Sequence, residues 1–237
     1  MKIKVLGSVV LCTLAVSFFI YGRGYWFPVY QKLAGKRTVA EVIKIYGDSS
    51  MARLESSFRA ARVAFPPKEI ALLAIKDRAT LTLWAKSSED WVLIKNYEVQ
   101  AASGEVGPKL MEGDRQVPEG IYQITSLNPN SAYHLSMKLN YPNAFDKKWA
   151  DAEGRANPGT NIFIHGKAIS VGCLAMGDEV IEELFVLTHT VGLGNVRVVI
   201  SPTNPQVGVL SPPVGSNPWV SVLYQDITRK YLEISKK

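Results

Sequence analysis

The sequence predicts a mostly β fold of the α+β type, with helices at both ends of the folded part and one helix near residue 180. Three observations predict this fold class. Between residues 66 and 202, short apolar or alternating runs are separated by polar turns, which is typical of strands. Residues 38–62 and 178–187 instead space their apolar side chains at helical intervals. A hydrophobic share of 47% and a charged share of 20% are those of an ordinary globular protein.

Residues 5–22 form an apolar run of eighteen residues without a charged side chain. A helix of that length, at about 1.5 Å per residue, just reaches across the hydrocarbon core of a membrane. We therefore expect residues 1–37 to be an uncleaved membrane anchor and a basic linker. A signal peptide cleaved near Ala15-Val16-Ser17 is the alternative. The anchor is favoured because residues 18–21 continue the apolar run, and because three aromatic residues after it resemble an interfacial belt: Tyr25, Trp26 and Tyr30.

Residues 38–65 are predicted to be a helical segment of two short helices, because Gly47 interrupts the helical spacing. Residues 66–202 carry the strand pattern of one domain. Its predicted strands are a meander over 69–76, 79–86 and 91–101, then 121–125, 133–140, 161–165 and 196–200. A polar excursion over 141–160 contains no predicted element.

The most helix-like stretch of the chain begins at Asp178, which can cap it and which is followed by acidic residues suited to the positive end of the helix dipole. Residues 203–237 form a proline-rich C-terminal extension. A closing helix is predicted within it, over residues 219–234.

Composition and spacing argue against several function classes. Of the 27 Lys and Arg residues, six lie in residues 1–37, so residues 38–237 balance 21 basic against 21 acidic residues. A nucleic-acid-binding domain is expected to show a basic patch instead. The two cysteines, Cys12 and Cys173, cannot build a disulfide framework, and three scattered histidines fall short of a zinc site. The glycine-rich loop 104–120 lacks the phosphate-binding spacing. We expect no nucleic-acid partner, no metal and no cofactor.

One dense constellation carries chemistry: His165 ends a predicted strand, and Cys173 follows a glycine-flanked turn eight positions later. A neighbouring imidazole can take the thiol proton and stabilise the thiolate. Gly172 lets the backbone turn, so that the amide of Cys173 can point at a developing oxyanion. A buried apolar cysteine beside a hydrogen-bonded histidine is the structural alternative.

The segment from His165 to Met176 resembles the active site of the YkuD-type L,D-transpeptidases, in which a His-Gly pair precedes Ser-x-Gly-Cys-apolar-x-Met. Further blocks resemble the YafK-like branch of that family: Gly107-Pro108-Lys109, Gly113 to Tyr122, and Tyr141-Pro142-Asn143-Ala144-Phe145-Asp146. The resemblance covers roughly residues 69 to 202. It implies a β-sandwich catalytic domain with flanking helices. It also implies action on the peptide stems of peptidoglycan, outside the cytoplasmic membrane.

Carried over by position, the resemblance makes Cys173 the nucleophile that forms a thioester, and His165 the general base and then acid. The carbonyl of Gly166 would hold the histidine. Two positions depart from the broader family, because Val171 replaces a second His and Ala175 replaces an Arg that could clamp a substrate carboxylate. The residues considered for substrate binding are Lys109, Arg115, Lys167 and Ser170.

Three functions remain open from the sequence. The first is a cysteine-dependent peptidoglycan L,D-transpeptidase, tethered to the cytoplasmic membrane with its catalytic domain in the cell envelope. The second is an endopeptidase or amidase that passes the same acyl group to water. The third is an inactive, membrane-tethered wall-binding module, which would not require the His165 and Cys173 pair. The sequence does not predict the oligomeric state.

Overall fold

The computed structural model describes residues 2–236. Its helices are α1 (Lys2–Tyr21), α2 (Arg23–Ala34), α3 (Val39–Ala60), α4 (Ala144–Ala152), α5 (Asp178–Val191) and α6 (Trp219–Ile234), with one 3-10 turn at Leu193–Asn195. Its strands are β1 (Ile70–Ile75), β2 (Thr80–Ser87), β3 (Asp90–Glu98), β4 (Gly120–Asn128), β5 (Ser136–Leu139), β6 (Phe163–His165), β7 (Leu174–Ala175) and β8 (Val196–Ser201).

The eight strands form one mixed sheet in the order β3-β2-β1-β8-β4-β5-β6-β7. The predicted meander is present, because β1, β2 and β3 pair antiparallel in sequence. The sheet curls until its two edges approach, and an antiparallel bridge joins Ala101, which follows β3, to Ala175 in β7. The expected β-sandwich with flanking helices is therefore confirmed only in part: the strands form one mixed, curled sheet with flanking helices, and the bridge pairs backbone groups at its two edges.

The side chains of β1 alternate between two hydrophobic cores, one on each face of the sheet. Ile70, Leu72 and Ala74 belong to the larger core, which the buried sides of α3 and α5 also enter. Ala71 and Leu73 belong to the smaller core, which α6 covers. The C-terminal extension is thus packed against the sheet through α6, whose bounds agree with the predicted closing helix.

Two predictions within the folded part are wrong. The predicted pair of short helices is one helix, Val39–Ala60, in which Gly47 is buried. Glycine costs only about 1 kcal/mol within a helix, and the packing of the buried face of α3 against the core offsets that cost. The polar excursion 141–160 contains α4, which begins with a reciprocal capping box between Asn143 and Asp146. That box needs only local side-chain to backbone hydrogen bonds, so a helix forms there without a long apolar stripe.

The N-terminus bends between two helices. Among the residues whose side chains the structure describes, which leave out 2–9, 20 and 34, no single helix is both long and apolar enough to cross a membrane. The pair Val10–Phe19 and Arg23–Leu33 meets that test by length and composition together, with a 70° bend between the two helices. The predicted single membrane helix is not confirmed, and the predicted linker is mostly α2. The end of this segment contacts the catalytic part, because Gln31 and Arg37 hydrogen-bond to Asn130.

Candidate active site

His165 is held at the end of β6 by its own neighbour. The side chain is buried, and its Nδ1 lies 2.6 Å from the carbonyl oxygen of Gly166. A carbonyl oxygen only accepts, so Nδ1 carries the proton and donates it. In the neutral ring, Nε2 then keeps a free lone pair and can act as a base.

Gly166 is confined on the side where a side chain would lie. A Cβ there would be 2.7 Å from the carbonyl oxygen of Tyr133 and 2.8 Å from Oδ1 of Asp178. Its amide donates to the carbonyl of Leu135 at 3.1 Å. The aromatic ring of Tyr133 lies 4.6 Å from the imidazole of His165, centroid to centroid. Glycine at this position therefore lets the segment around Tyr133 pack directly against the histidine.

Cys173 is brought to His165 by strand pairing. β6 and β7 are parallel, with Ile164 opposite Leu174 and His165 opposite Ala175. Cys173 lies directly before β7, and continuing the alternation of side chains from Ala175 would place it on the same face as His165. The thiol is half-buried, and its sulfur lies 3.9 Å from the carbonyl oxygen of Asn161.

The turn before Cys173 is closed by two serines. Ser170 accepts from the amide of Cys173 at 3.1 Å and donates to its carbonyl at 2.7 Å. Gly172 has φ +80°, a left-handed conformation that favours glycine, and its amide donates to the hydroxyl of Ser103 at 2.6 Å. In this conformation both amides are paired within the protein. The expectation that the Cys173 amide points at a developing oxyanion is therefore not met here, because Ser170 holds that amide.

The electrostatics of the pair favour its uncharged form. Burial lowers the pKa of His165, although the hydrogen bond to Gly166 opposes this effect. Burial raises the pKa of the Cys173 thiol, while a backbone interaction with Phe163 and the positive charge of Lys109 act in the opposite direction. The resting site is thus a neutral imidazole beside a thiol rather than a preformed ion pair.

The chain matches a protein-family model. The family model YkuD, described as the L,D-transpeptidase catalytic domain, matches residues 70–200. The chain belongs to this family. The matched segment runs from β1 to β8 and contains both His165 and Cys173.

Among curated proteins, the chain is similar to YafK of Escherichia coli strain K12, a candidate L,D-transpeptidase, and to YafK of E. coli O157:H7. The identity to each is 33% over 129 residues, 53% of this chain and 50% of the relative. The chain thus spans about half the length of the curated relatives it matches.

Two solved structures are also similar. The helical cell shape determining protein Pgp2 of Campylobacter jejuni has a TM-score of 0.48 at 21% identity, over 60% of this chain and 50% of Pgp2. Bd1075 of Bdellovibrio bacteriovorus has a TM-score of 0.43 at 20% identity, over 70% of this chain and 57% of Bd1075.

The four side chains predicted to bind substrate in this YkuD family member differ in their burial and in their partners. Lys109 is buried near the thiol, but its ammonium is paired with Asp114 at 2.5 Å. Lys167 is paired with Asp178. Arg115 is exposed, and its backbone lies against Gly172. Ser170 shapes the cysteine turn, as described above. Of the three cations, Arg115 alone has no acidic partner among the described residues.

Three residues at the site were missed from the sequence: Ser103, Tyr133 and Asn161. Ser103 and Tyr133 lie far along the chain from the motif that contains His165 and Cys173. The sequence around each of them contains no pattern that indicates a functional site. Asn161 has φ +57°, a conformation that asparagine tolerates better than most residues, so its type was a weak hint. Within residues 2–236, no cluster of three or more His, Cys, Asp or Glu side chains could hold a metal ion.

Proposed function

We propose that this protein is a cysteine-dependent L,D-transpeptidase acting on peptide stems of peptidoglycan. The observation that carries the proposal is the 2.6 Å hydrogen bond from Nδ1 of His165 to the carbonyl of Gly166. It sets the tautomer in which Nε2 is the free base, on the face of the sheet that also holds Cys173. A buried histidine of purely structural role would not need this tautomer beside a half-buried thiol.

The reaction follows from these two side chains. Nε2 of His165 takes the thiol proton as the sulfur of Cys173 attacks the carbonyl carbon of the donor stem, giving a tetrahedral oxyanion. The imidazolium returns that proton to the departing amine, the scissile C–N bond breaks, and a thioester remains on Cys173. An acceptor amine then attacks the thioester carbon while His165 takes the amine proton. The C–S bond breaks, and the imidazolium returns that proton to sulfur, which regenerates the thiol.

Burial determines when the proton moves. Because the pKa of His165 is lowered and that of Cys173 is raised, the thiolate is not formed ahead of the substrate. Proton transfer accompanies the attack of sulfur on carbon. The tetrahedral oxyanion needs a hydrogen-bond donor, and the amide of Cys173 could serve only if it left Ser170, to which it donates at 3.1 Å.

Hydrolysis of the thioester is the second candidate function. Val171, which stands beside the cysteine turn, is 66% exposed, so the wall of the site near the thioester is open to water. The products separate the two functions. Transfer joins the donor acyl group to an amine, and hydrolysis leaves a free acid.

We also propose that the N-terminal segment tethers the catalytic part to the cytoplasmic membrane from the outside. Large apolar side chains of α1 and α2 are exposed: Val10, Leu11, Leu14, Val16, Phe18, Phe19, Tyr21, Tyr25, Val29, Tyr30 and Leu33. Contiguous exposed apolar surface of this kind is typical of segments that contact lipid. Fractionation without detergent should leave the protein with membranes. Recovery of a soluble product that begins near residue 18 would support signal-peptide cleavage instead.

The enzymatic proposal is tested with the full chain in detergent and disaccharide peptides, with and without a D-amino acid acceptor. Wild type and Cys12→Ser should convert the donor, because Cys12 lies in α1, outside the site. Cys173→Ser should fold and give no turnover, since a hydroxyl has a far higher pKa. Mass spectrometry should detect a thioester on Cys173. Free acid as the sole product, unchanged by the acceptor, would favour the hydrolase, and turnover by Cys173→Ser would exclude the mechanism.

A further inference from the structure

The turn before Cys173, residues 168–172, is held by few contacts. Ala168 and Val171 are exposed, so their side chains do not fix the turn by packing. Ser170 bonds to the backbone of Cys173, within the same segment. Among the residues that the structure describes, a single hydrogen bond links residues 168–172 to a distant segment, and it runs from the amide of Gly172 to the hydroxyl of Ser103 at 2.6 Å.

Cys173 thus lies between two attachments to the same neighbouring segment. After it in the chain, the amide of Ala175 donates to the carbonyl of Ala101 at 2.9 Å. Before it, the amide of Gly172 donates to Ser103. Gly172 is buried and has φ +80°, so the direction of its amide depends on a left-handed turn that glycine adopts readily. Backbone that is attached on both sides of Cys173 limits the directions in which the thiol can point.

The segment that carries Ser103 is itself fixed. The hydroxyl of Ser103 donates to the carbonyl of Arg115 at 2.7 Å, which leaves its oxygen to accept from the Gly172 amide. Two positions later, the amide of Glu105 donates to Oε1 of Gln116 at 3.1 Å. A Cβ at Gly104 would lie 2.2 Å from that oxygen, so the two segments are in direct contact. Ser103 is therefore a fixed acceptor rather than a side chain that adapts to the turn.

The direction of the thiol controls the rate, because the sulfur of Cys173 must attack carbon while its proton passes to His165. A misplacement of about 1 Å near reacting groups can lower the rate about 100-fold. The protonation of the pair depends on burial of the two side chains instead. Loss of the Ser103 hydrogen bond should therefore slow the reaction without changing the pH range in which it proceeds.

We propose that Ser103 is a positioning residue for the nucleophile: its hydroxyl holds the amide of Gly172 and thereby the direction in which the thiol of Cys173 faces His165. This inference rests on the proposed function. It assigns a role in the reaction to a side chain outside the motif that carries the two reacting groups. Ser170 cannot replace Ser103 in this role, because its hydroxyl bonds to the backbone of Cys173 itself and moves with the turn.

The test uses the full chain in neutral detergent, with a disaccharide peptide donor and a D-amino acid acceptor. Ser103→Ala should lower kcat roughly 10- to 100-fold and leave KM within about 3-fold, because it misplaces the nucleophile without removing a substrate contact. Both limbs of the pH profile should stay at their wild-type positions. Ser103→Thr keeps the hydroxyl and should recover most of the rate. The matched control is Ser56→Ala, which removes a hydroxyl that donates to the carbonyl of Arg53 at 2.9 Å in α3 and should behave as wild type.

Hydrogen exchange at the Gly172 amide measures the same contact without turnover. Exchange should be roughly 5-fold faster or more in Ser103→Ala than in wild type, since one hydrogen bond is lost. Equal exchange in the two proteins would overturn the inference whether or not the protein is an enzyme.

Three kinetic results would also overturn it. They are wild-type kcat in Ser103→Ala, an equally low kcat in Ser103→Ala and Ser103→Thr, and a loss of kcat that only follows a fall in the melting temperature. All three leave the enzyme assignment intact. If wild type converts no donor, the proposed function itself fails, while slow exchange at Gly172 that depends on Ser103 would still support the contact.

Discussion

The hydroxyl of Tyr224 in α6 donates a hydrogen bond of 2.7 Å to Oε2 of Glu119, 105 positions earlier in the chain. The other carboxylate oxygen of Glu119 accepts from the amide of Gly107 at 2.7 Å and pairs with Lys76 at 3.0 Å. Glu119 is buried, so each of these partners offsets its desolvation. The C-terminal helix is thereby connected to the loop that carries Lys109 towards the thiol.

Tyr224→Phe should destabilise the protein, because it removes one partner of a buried carboxylate while leaving the ring in place. We expect a loss of about 1–3 kcal/mol in the free energy of unfolding, measured by chemical denaturation. Faster hydrogen exchange at the Gly107 amide should accompany it. The control is Tyr231→Phe on the same helix, since Tyr231 is buried but its hydroxyl makes no hydrogen bond among the described residues. Equal effects of the two substitutions would contradict a role for the Glu119 contact.

The pH dependence of kcat/KM should be a broad bell. General-base attack needs a neutral imidazole and a thiol. The acid limb should lie below the ordinary histidine pKa of 6.5, because burial lowers the pKa of His165. The alkaline limb should lie above the ordinary thiol pKa of 9.0, because burial raises the pKa of Cys173. A plateau that begins only above pH 6.5 would contradict the first expectation.

Tyr133→Ala should move only the acid limb. Removing the ring exposes the imidazole of His165 to water, so the pKa of His165 should rise towards its ordinary value and the acid limb should shift to higher pH. A pH titration of the histidine ring by NMR in the Cys173→Ala background measures the same change without turnover. An unchanged histidine pKa would mean that Tyr133 does not control the hydration of His165.

Gly166→Ala should impair catalysis by displacing the histidine. Its Cβ would lie 2.7 Å from the carbonyl of Tyr133, so the backbone that accepts the His165 hydrogen bond must move. A displacement of about 1 Å near reacting groups can lower the rate about 100-fold, and overpacking should cost about 1–3 kcal/mol of stability. Gly194→Ala is the control, because a Cβ there has no atom within 4 Å. Wild-type kcat in Gly166→Ala would show that this backbone position does not control His165.

Asp146 should make stability depend on pH. Burial raises its pKa to about 6, although hydrogen bonds from the Asn143 amide and Tyr122 and the charge of Arg155 oppose this effect. In the unfolded chain its pKa is near the ordinary 3.8. The unfolded state therefore ionises first as pH rises, so this group lowers stability between about pH 4 and pH 6, by roughly 3 kcal/mol in all.

Asp146→Asn should abolish that loss, because an amide can still accept from the Asn143 amide and does not ionise. Denaturation midpoints at pH 4 and pH 7 measure the effect. Asp151→Asn, an exposed position on the same helix, should retain the wild-type pH dependence. A fall of stability in Asp146→Asn as large as that of wild type, or larger, would contradict the assignment.

Much of the fold could be predicted because the signals are local. The strands at Ile70–Ile75 and Thr80–Ser87 carry apolar or alternating patterns, and the helix at Trp219–Ile234 presents a regular apolar face. The helix at Ala144–Ala152 escaped prediction because a capping box, rather than an apolar stripe, starts it. The closure of the sheet was not predicted from the sequence either, because the bridge between Ala101 and Ala175 joins segments that are far apart in the chain.

The sequence by itself determined the family, because His165, Gly172 and Cys173 stand in a short, ordered motif whose chemistry depends on residue type and spacing. Only the tertiary structure decided the state of the site. Desolvation of buried His165 and of half-buried Cys173 lowers the pKa of the imidazole and raises that of the thiol, so the resting pair is neutral. The ring of Tyr133 covers the imidazole, and Ser103 binds the amide of Gly172. Desolvation and hydrogen bonding arise from groups that are distant in sequence, so no local pattern could reveal them.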